Sequence, residues 1–196
     1  MKRAFDIFFS LAALLFLWPF MLVLAVAILA GSRGGVFYRQ VRIGKNFREF
    51  YLLKFRSMRP GSDKQGLITV GGNDSRVTGV GHFLRRYKLD ELPQFLNILK
   101  GDMSFVGPRP EVKKYVDLYR GRYAHVLTVR PGLTDYASLE YISENEILRR
   151  SDKPEKTYTD EILPHKLDLA DRYVERASVG EDVRIILKTI KKIIGG

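Results

Sequence analysis

The sequence predicts an α+β chain, mostly helical, with an N-terminal membrane segment over residues 1–32 and one small compact domain over residues 33–196. Three observations carry that expectation. Residues 7–31 hold no charge and have Pro19 near their middle. Residues 36–58 alternate like a β-hairpin, and beyond residue 80 apolar residues recur at three- and four-residue spacing.

The apolar run is long enough to span a bilayer as a straight helix, for which about 20 residues suffice. Pro19 removes a helical hydrogen bond and kinks or breaks the helix there. Lys2 and Arg3 precede the run, and Arg33, Arg39, Arg42, Lys45 and Arg48 follow it. Positive charge at both ends favours keeping both on the cytoplasmic side, so the expectation is a re-entrant helix broken at Pro19. A single span is the alternative, because proline is tolerated inside membrane helices. The run is too long for the apolar part of a cleaved signal peptide, roughly 7–15 residues.

The 196 residues carry a net charge of +11 and no cysteine, which excludes disulfides and thiolate chemistry. Such a balance calls for a polyanionic partner: nucleic acid, anionic lipid or a phosphorylated substrate. In the hairpin, VFYRQVRI and REFYLLKFRSM flank a Gly44-Lys45-Asn46 turn, and most of the cations between apolar residues read as a solvated face beside an anionic membrane.

Residues 60–75 read as a Gly- and Ser-rich loop. Gly71, Gly72, Gly79 and Gly81 build neither GxxxxGK[ST] nor a strand-to-helix GxGxxG, so no P-loop or Rossmann site is expected. Helices are expected over 80–87 and 111–119, with short ones around Pro154 and Pro164 between 144 and 166. Arg130 stands beside a Pro131-Gly132 turn, where a basic side chain and backbone N–H groups can meet a phosphate. The tail carries Val183, Ile186, Leu187, Ile190, Ile193 and Ile194 on one stripe with Lys188, Lys191 and Lys192 off it, suited to a membrane interface or to the core. His82, His125 and His165 lack metal-ligand spacing.

The densest chemistry lies between Arg85 and Pro110. A helix from Leu89 to Leu99 places Leu89, Leu92, Phe95, Leu96 and Leu99 on one face. Asp90, Glu91, Gln94 and Asn97 look outward together on the other. Arg85, Arg86 and Lys88 stand upstream, and Arg109 follows between two prolines. Asp90 also suits a helix N-cap, but Pro93, three residues on, lacks the N–H that such a cap most often receives. Adjacent carboxylates diverge on a helix, so the two cannot face each other across a sugar as a glycosidase pair does.

Taken together, the N-terminal apolar hairpin and the runs Lys54-Phe55-Arg56-Ser57-Met58, Asp74-Ser75-Arg76-Val77-Thr78, Leu89-Asp90-Glu91-Leu92-Pro93-Gln94, Gly101-Asp102-Met103-Ser104, Pro108-Arg109-Pro110 and Arg130-Pro131-Gly132 resemble the bacterial sugar transferases, the monotopic phosphoglycosyl transferases. The resemblance implies a re-entrant helix joined to a cytoplasmic catalytic domain at the bacterial inner membrane. It implies transfer of a sugar 1-phosphate from a UDP-sugar to polyprenol (undecaprenyl) phosphate, releasing UMP, as the first membrane step of surface polysaccharide or glycoconjugate synthesis. By the same resemblance Asp90 is the nucleophile and stands at a Mg²⁺ ion, Glu91 orients Asp90 or the metal, and Arg85, Arg109, Lys54 and Arg130 bind substrate phosphate. A homo-oligomer is left open.

Two departures stand out. Trp18 replaces the serine that often precedes the hairpin proline. The turn usually continued as GLTGLAQ reads Gly132-Leu133-Thr134-Asp135-Tyr136-Ala137-Ser138, so no nucleotide or sugar contact carries over to it. The alternative from another class is a membrane-tethered basic protein that binds nucleic acid or lipid without catalysis. Nucleic acid is not the expected partner, because an acidic pair inside the most cation-rich stretch repels phosphates unless a metal intervenes.

Overall fold

The computed structural model describes residues 2–66, 68–71 and 74–194. Leu67, Gly72 and Asn73, all in the loop read over 60–75, lie outside the described residues. The chain is mostly helical. Helix α1, Lys2–Gly31, is followed by strands β1, Phe37–Ile43, and β2, Glu49–Phe55. Next come α2, Gly79–Arg86, α3, Gln94–Lys100, and β3, Ser104–Val106. Then follow α4, Lys113–Leu118, α5, Arg120–Val126, β4, Gly132–Thr134, α6, Tyr136–Glu140, and α7, Glu144–Arg149. The last are α8, Pro154–Thr157, α9, Leu163–Arg176, and α10, Val179–Ile194.

Helix α1 has Pro19 inside it and is long and apolar enough to cross a membrane, with a mean hydropathy of 2.7 over its most apolar window. Both its ends dock on the domain. At the start, Arg3 donates to the carbonyls of Ile98 and Leu99 at 2.6 and 2.8 Å, and Asp6 accepts from the Ser104 hydroxyl at 3.0 Å. At the end, Leu24 and Ile28 pack with Phe55 and Leu84. The buried guanidinium of Arg56 donates to Ser32 O at 2.8 Å and Arg33 O at 3.0 Å, satisfying carbonyls that a helix terminus leaves open.

The expected hairpin forms, with β1 and β2 antiparallel and Phe37 opposite Phe55. Around it the largest core gathers Ile43 with Val112, just before α4, and Val116, Val126, Leu148 and Leu163 from α4, α5, α7 and α9. The short helices expected near Pro154 and Pro164 become α8, a π-helical turn at Tyr158–Ile162 and the 14-residue α9; Pro154 sits in a first turn where its missing N–H costs nothing, and Pro164 follows directly on the π-helical turn.

Three expectations are corrected. The helix read from Leu89 to Leu99 is a 3₁₀ turn, Leu89–Glu91, followed by α3, because Pro93 cannot donate to the carbonyl four residues back. The face read as outward is the buried one: Asp90, Glu91, Gln94 and Asn97 are 7, 8, 1 and 1 % exposed. Distant groups explain this. Asn97 accepts from Leu53 N at 3.0 Å and donates to Tyr51 O at 2.8 Å, replacing the water that periodicity assigned to it. Leu89 and Leu92 meanwhile pack on the cluster of Leu24 and Ile28 in α1.

The third correction concerns the Arg130-Pro131-Gly132 turn, which runs straight into β4, parallel to β3 with Ser104 opposite Gly132. The pair is closed by two glycines. A Cβ on Gly132 would stand 2.1 Å from Gly107 N, and one on Gly107 would stand 2.3 Å from Arg130 O. Only residues without a side chain let these two backbones meet.

Candidate active site

Glu91 is the most tightly held acid in the chain's centre. Its Oε1 accepts from Lys54 Nζ at 2.9 Å, from the end of β2, and from Arg109 at 2.6 Å, from the segment after β3. Burial works to raise its pKa, but the charges of Arg109, Lys54 and Lys88 outweigh it and hold the carboxyl well below the ordinary carboxylate range. The same pairing raises the pKa of Arg109, so that guanidinium is charged throughout.

Asp90, next in the chain, is treated in the opposite way. Among the described residues its carboxylate has no hydrogen bond and no ion pair, although the residue is only 7 % exposed. Burial pushes its pKa up, Glu91 adds to the rise, and Lys54, Arg85 and Lys88 pull against it. Neighbouring carboxylates driven apart by their surroundings have separate tasks. Lys88 reaches this place through a φ of 55°, uncommon for a residue with a Cβ. Local strain of that kind gathers at functional sites.

A cavity of about 580 Å³ opens over the pair, within the size range of small-molecule sites. Asp90, Glu91, Lys54, Arg85 and Arg109 all line it, so five of the six residues singled out from the sequence converge. Arg85 is half-buried and donates to the Thr69 hydroxyl at 2.9 Å, and burial lowers its pKa. Arg130 is placed elsewhere: its Nε donates to Gly101 O at 2.8 Å, just past the end of α3.

The segment carrying Arg109 is pinned at every step. Gly107 N donates to Thr134 O at 3.1 Å, Pro108 O accepts from Gly132 N at 3.0 Å, and Arg109 N donates to an Asp135 carboxylate oxygen at 3.1 Å. Arg42, read from the sequence as a solvated hairpin cation, instead donates to Pro110 O at 3.0 Å and to Glu111 at 3.2 Å. Tyr158 donates to the other oxygen of Glu111 at 2.7 Å. Lys88, Arg42, Glu111 and Tyr158 all line the cavity and were missed as site residues. Alternation placed Arg42 with its solvated neighbours, and nothing local marks a tyrosine 47 residues from the glutamate it serves.

Arg42→Ala removes one of the two partners of a buried carboxylate and is expected to cost about 1–3 kcal/mol of stability. Thermal unfolding reads this directly. An unchanged melting temperature would contradict the pinning role.

A Mg²⁺ ion fits the donors here in one manner. Among the described residues no group of three His, Cys, Asp or Glu side chains can cage a metal. Asp90 offers an unengaged carboxylate, and Mg²⁺ is commonly held by one or two carboxylates together with substrate phosphates and water.

The chain matches the bacterial sugar transferase family over residues 1–196. It is 39 % identical over 198 residues to a UDP-glucose:undecaprenyl-phosphate glucose-1-phosphate transferase of Xanthomonas campestris pv. campestris, covering 99 % of this chain and 39 % of the relative. It is 37 % identical over 202 residues to a UDP-N-acetylgalactosamine-undecaprenyl-phosphate N-acetylgalactosaminephosphotransferase of Aeromonas hydrophila, covering 100 and 44 %. An exopolysaccharide production protein of Rhizobium leguminosarum bv. phaseoli is 38 % identical over 201 residues, covering 97 and 93 %. The chain thus spans about two fifths of the first two relatives and nearly all of the third. A match running the whole length of the chain, through the helix, the hairpin and the residues around Asp90 alike, makes it a member of the bacterial sugar transferase family.

Proposed function

We propose that the chain transfers a sugar 1-phosphate from a UDP-sugar to polyprenol phosphate, through a covalent phosphosugar on Asp90, at the cytoplasmic face of a bacterial inner membrane. One observation carries the reading above others. Of two adjacent buried carboxylates, Glu91 is gripped by Lys54 and Arg109, and Asp90 is left free at a cavity ringed by cations.

A free carboxylate is a competent nucleophile toward phosphorus, and splitting the transfer into two displacements suits two anionic substrates that take turns. An Asp90 oxygen attacks the phosphorus bearing the sugar, its bond to the bridging oxygen breaks, and UMP leaves with that electron pair. A phosphate oxygen of polyprenol phosphate then attacks the same phosphorus, giving polyprenyl-diphospho-sugar and restoring the carboxylate. Arg85, Lys88 and the free donors of Arg109 stabilise charge on the transferring phosphoryl group, and Glu91 keeps Arg109 and Lys54 aimed. Mg²⁺ bound at Asp90 would supply further neutralisation of the diphosphate. The product fits an early step of surface polysaccharide or glycoconjugate synthesis.

Incubation with polyprenol phosphate, Mg²⁺ and a panel of UDP-sugars headed by UDP-glucose and UDP-N-acetylgalactosamine is expected to release UMP with at least one sugar. Silence across the panel would count against the reading.

The placement of α1 supports a re-entrant membrane helix. Arg3 reaches Ile98, and Leu24 belongs to the cluster that takes in Leu92. At about 1.5 Å per residue, Arg3 and Leu24 stand about 32 Å apart on a straight helix, while Leu92 and Ile98 are about 9 Å apart at helical rise. A bend at Pro19 would reconcile the two and would put both ends on one side of the membrane. With no native cysteine, single cysteines at Ala4 and Arg33 give an unambiguous test. Both are expected to react only from the cytoplasmic side; labelling on opposite sides would establish a spanning helix.

A further inference from the structure

A second, larger cavity of about 1300 Å³ opens beside the first, between the end of α2 and the pair α9–α10. Nine Lys and Arg side chains line it against three Glu. Arg85 and Lys88 belong to both cavities, so the two meet at cations whose charge acts on Asp90. Among the described residues Arg172, Arg176, Lys188 and Lys191 make no hydrogen bond or ion pair. Of the three acids, Glu181 is already engaged by Tyr136 at 2.7 Å and Arg184 at 3.6 Å.

Helix α10 gives this groove a second character. Ile185 is fully buried against β3, while Val183, Leu187, Ile190 and Ile194 form an exposed apolar stripe along the other side, next to Lys191 and Arg184. The first turn of α10 is tied to the start of the membrane helix: Lys2 is ion-paired with Asp182, and Tyr173 donates to Asp182 at 2.6 Å. A basic groove thus runs beside an apolar stripe that starts where α1 starts.

Resting on the proposed reaction, we infer that this groove is the docking site of the acceptor, a phosphate monoester carrying a long apolar tail, here polyprenol phosphate. The diphosphate of the donor is already met at Asp90 by Lys54, Arg85, Lys88 and Arg109. The unpaired cations of α9 and α10 are left for the other phosphate, and a cleft lined by one sign of charge concentrates its counter-ion. The stripe of α10 lies along the tail or in the lipid that carries it. Arg85 and Lys88 hand the phosphate to the phosphorus held on Asp90.

The test uses the full chain in mixed micelles and the double variant Arg176→Glu with Lys188→Glu, both exposed positions away from Asp90. The KM for polyprenol phosphate is expected to rise by about tenfold, the lower end of what charge focusing supplies. The KM for UDP-sugar and the UMP released without acceptor stay as in the wild type. Arg176→Lys with Lys188→Arg keeps the acceptor KM. Retention of polyprenol phosphate over unphosphorylated polyprenol in micelles falls in parallel, and this readout needs no turnover. An acceptor KM that does not move, an equal change in the UDP-sugar KM, or competition by inorganic phosphate as strong as that of the lipid would each overturn the proposal. Wild-type protein that retains polyprenol phosphate yet turns over no UDP-sugar overturns the proposed reaction and leaves the groove supported.

Discussion

Asp90→Asn is expected to reduce UMP release to background and, in the same protein, to raise the melting temperature. The substitution keeps the shape and size of the side chain but removes the charge that attacks phosphorus. It also removes a carboxylate that is 7 % exposed, has no hydrogen bond among the described residues and lies beside the charge of Glu91. Relief of a buried functional charge of this sort is worth about 1–2 kcal/mol. In a chain of this size each kcal/mol moves the melting point by about 2–4 °C.

The pH dependence follows from the direction of the shift. The folded state raises the pKa of Asp90, so the stability linked to its protonation is present at low pH and is lost as pH rises through the folded pKa. The advantage of the Asn variant is therefore greatest near neutrality and fades on acidification. Glu91 runs the other way: its pKa is lowered, and its contribution is lost only as pH falls through that depressed value. Calorimetry of wild type and variant across pH, without added Mg²⁺, checks both signs. A variant that is inactive and less stable than the wild type at neutral pH would show that Asp90 serves the fold instead.

Arg109→Ala is expected to lower turnover by about 10²-fold or more, as removal of one preorganised charge contact does in other active sites. The residue is held at both ends: its guanidinium by Glu91, and its backbone by Asp135, which accepts from its N–H, and by the flanking prolines. It loses little freedom when a phosphate arrives, and its remaining N–H groups are available to one. Arg39, exposed on β1, is the proper comparison, because charge at an open surface is screened within about 10 Å. Arg42 cannot serve as that control, since it reaches Pro110 and Glu111. Equal, small losses for Arg109→Ala and Arg39→Ala would mean that the cations form a surface patch and no site.

How far the sequence could be read depended on whether the cause was local. The hairpin was legible because β1 and β2 each run seven residues, long enough for alternation to register, and because Asn46 accepts the left-handed turn between them. The strands β3 and β4 were not, since three residues carry no periodicity; only Gly107 and Gly132 mark where two backbones touch. The residues around Asp90 were located correctly and oriented wrongly. Amphipathic patterning assumes that a polar face meets water, but Lys54 and Arg109 reach Glu91 across 37 and 18 residues, and the amide of Asn97 is used by β2. Arg56 shows the same limit. Its place in the Lys54-Phe55-Arg56-Ser57-Met58 run gave it no role, and it closes the end of α1.

The most direct test of the central claim is the intact mass of the purified protein after exposure to a reactive UDP-sugar and Mg²⁺ with no polyprenol phosphate present. Asp90 acting as nucleophile predicts a mass increase equal to one sugar phosphate on the wild type, absent from Asp90→Asn and discharged when polyprenol phosphate is added. Turnover through a ternary complex, with no adduct at any time, would contradict it and would mean that the lipid phosphate attacks the donor directly.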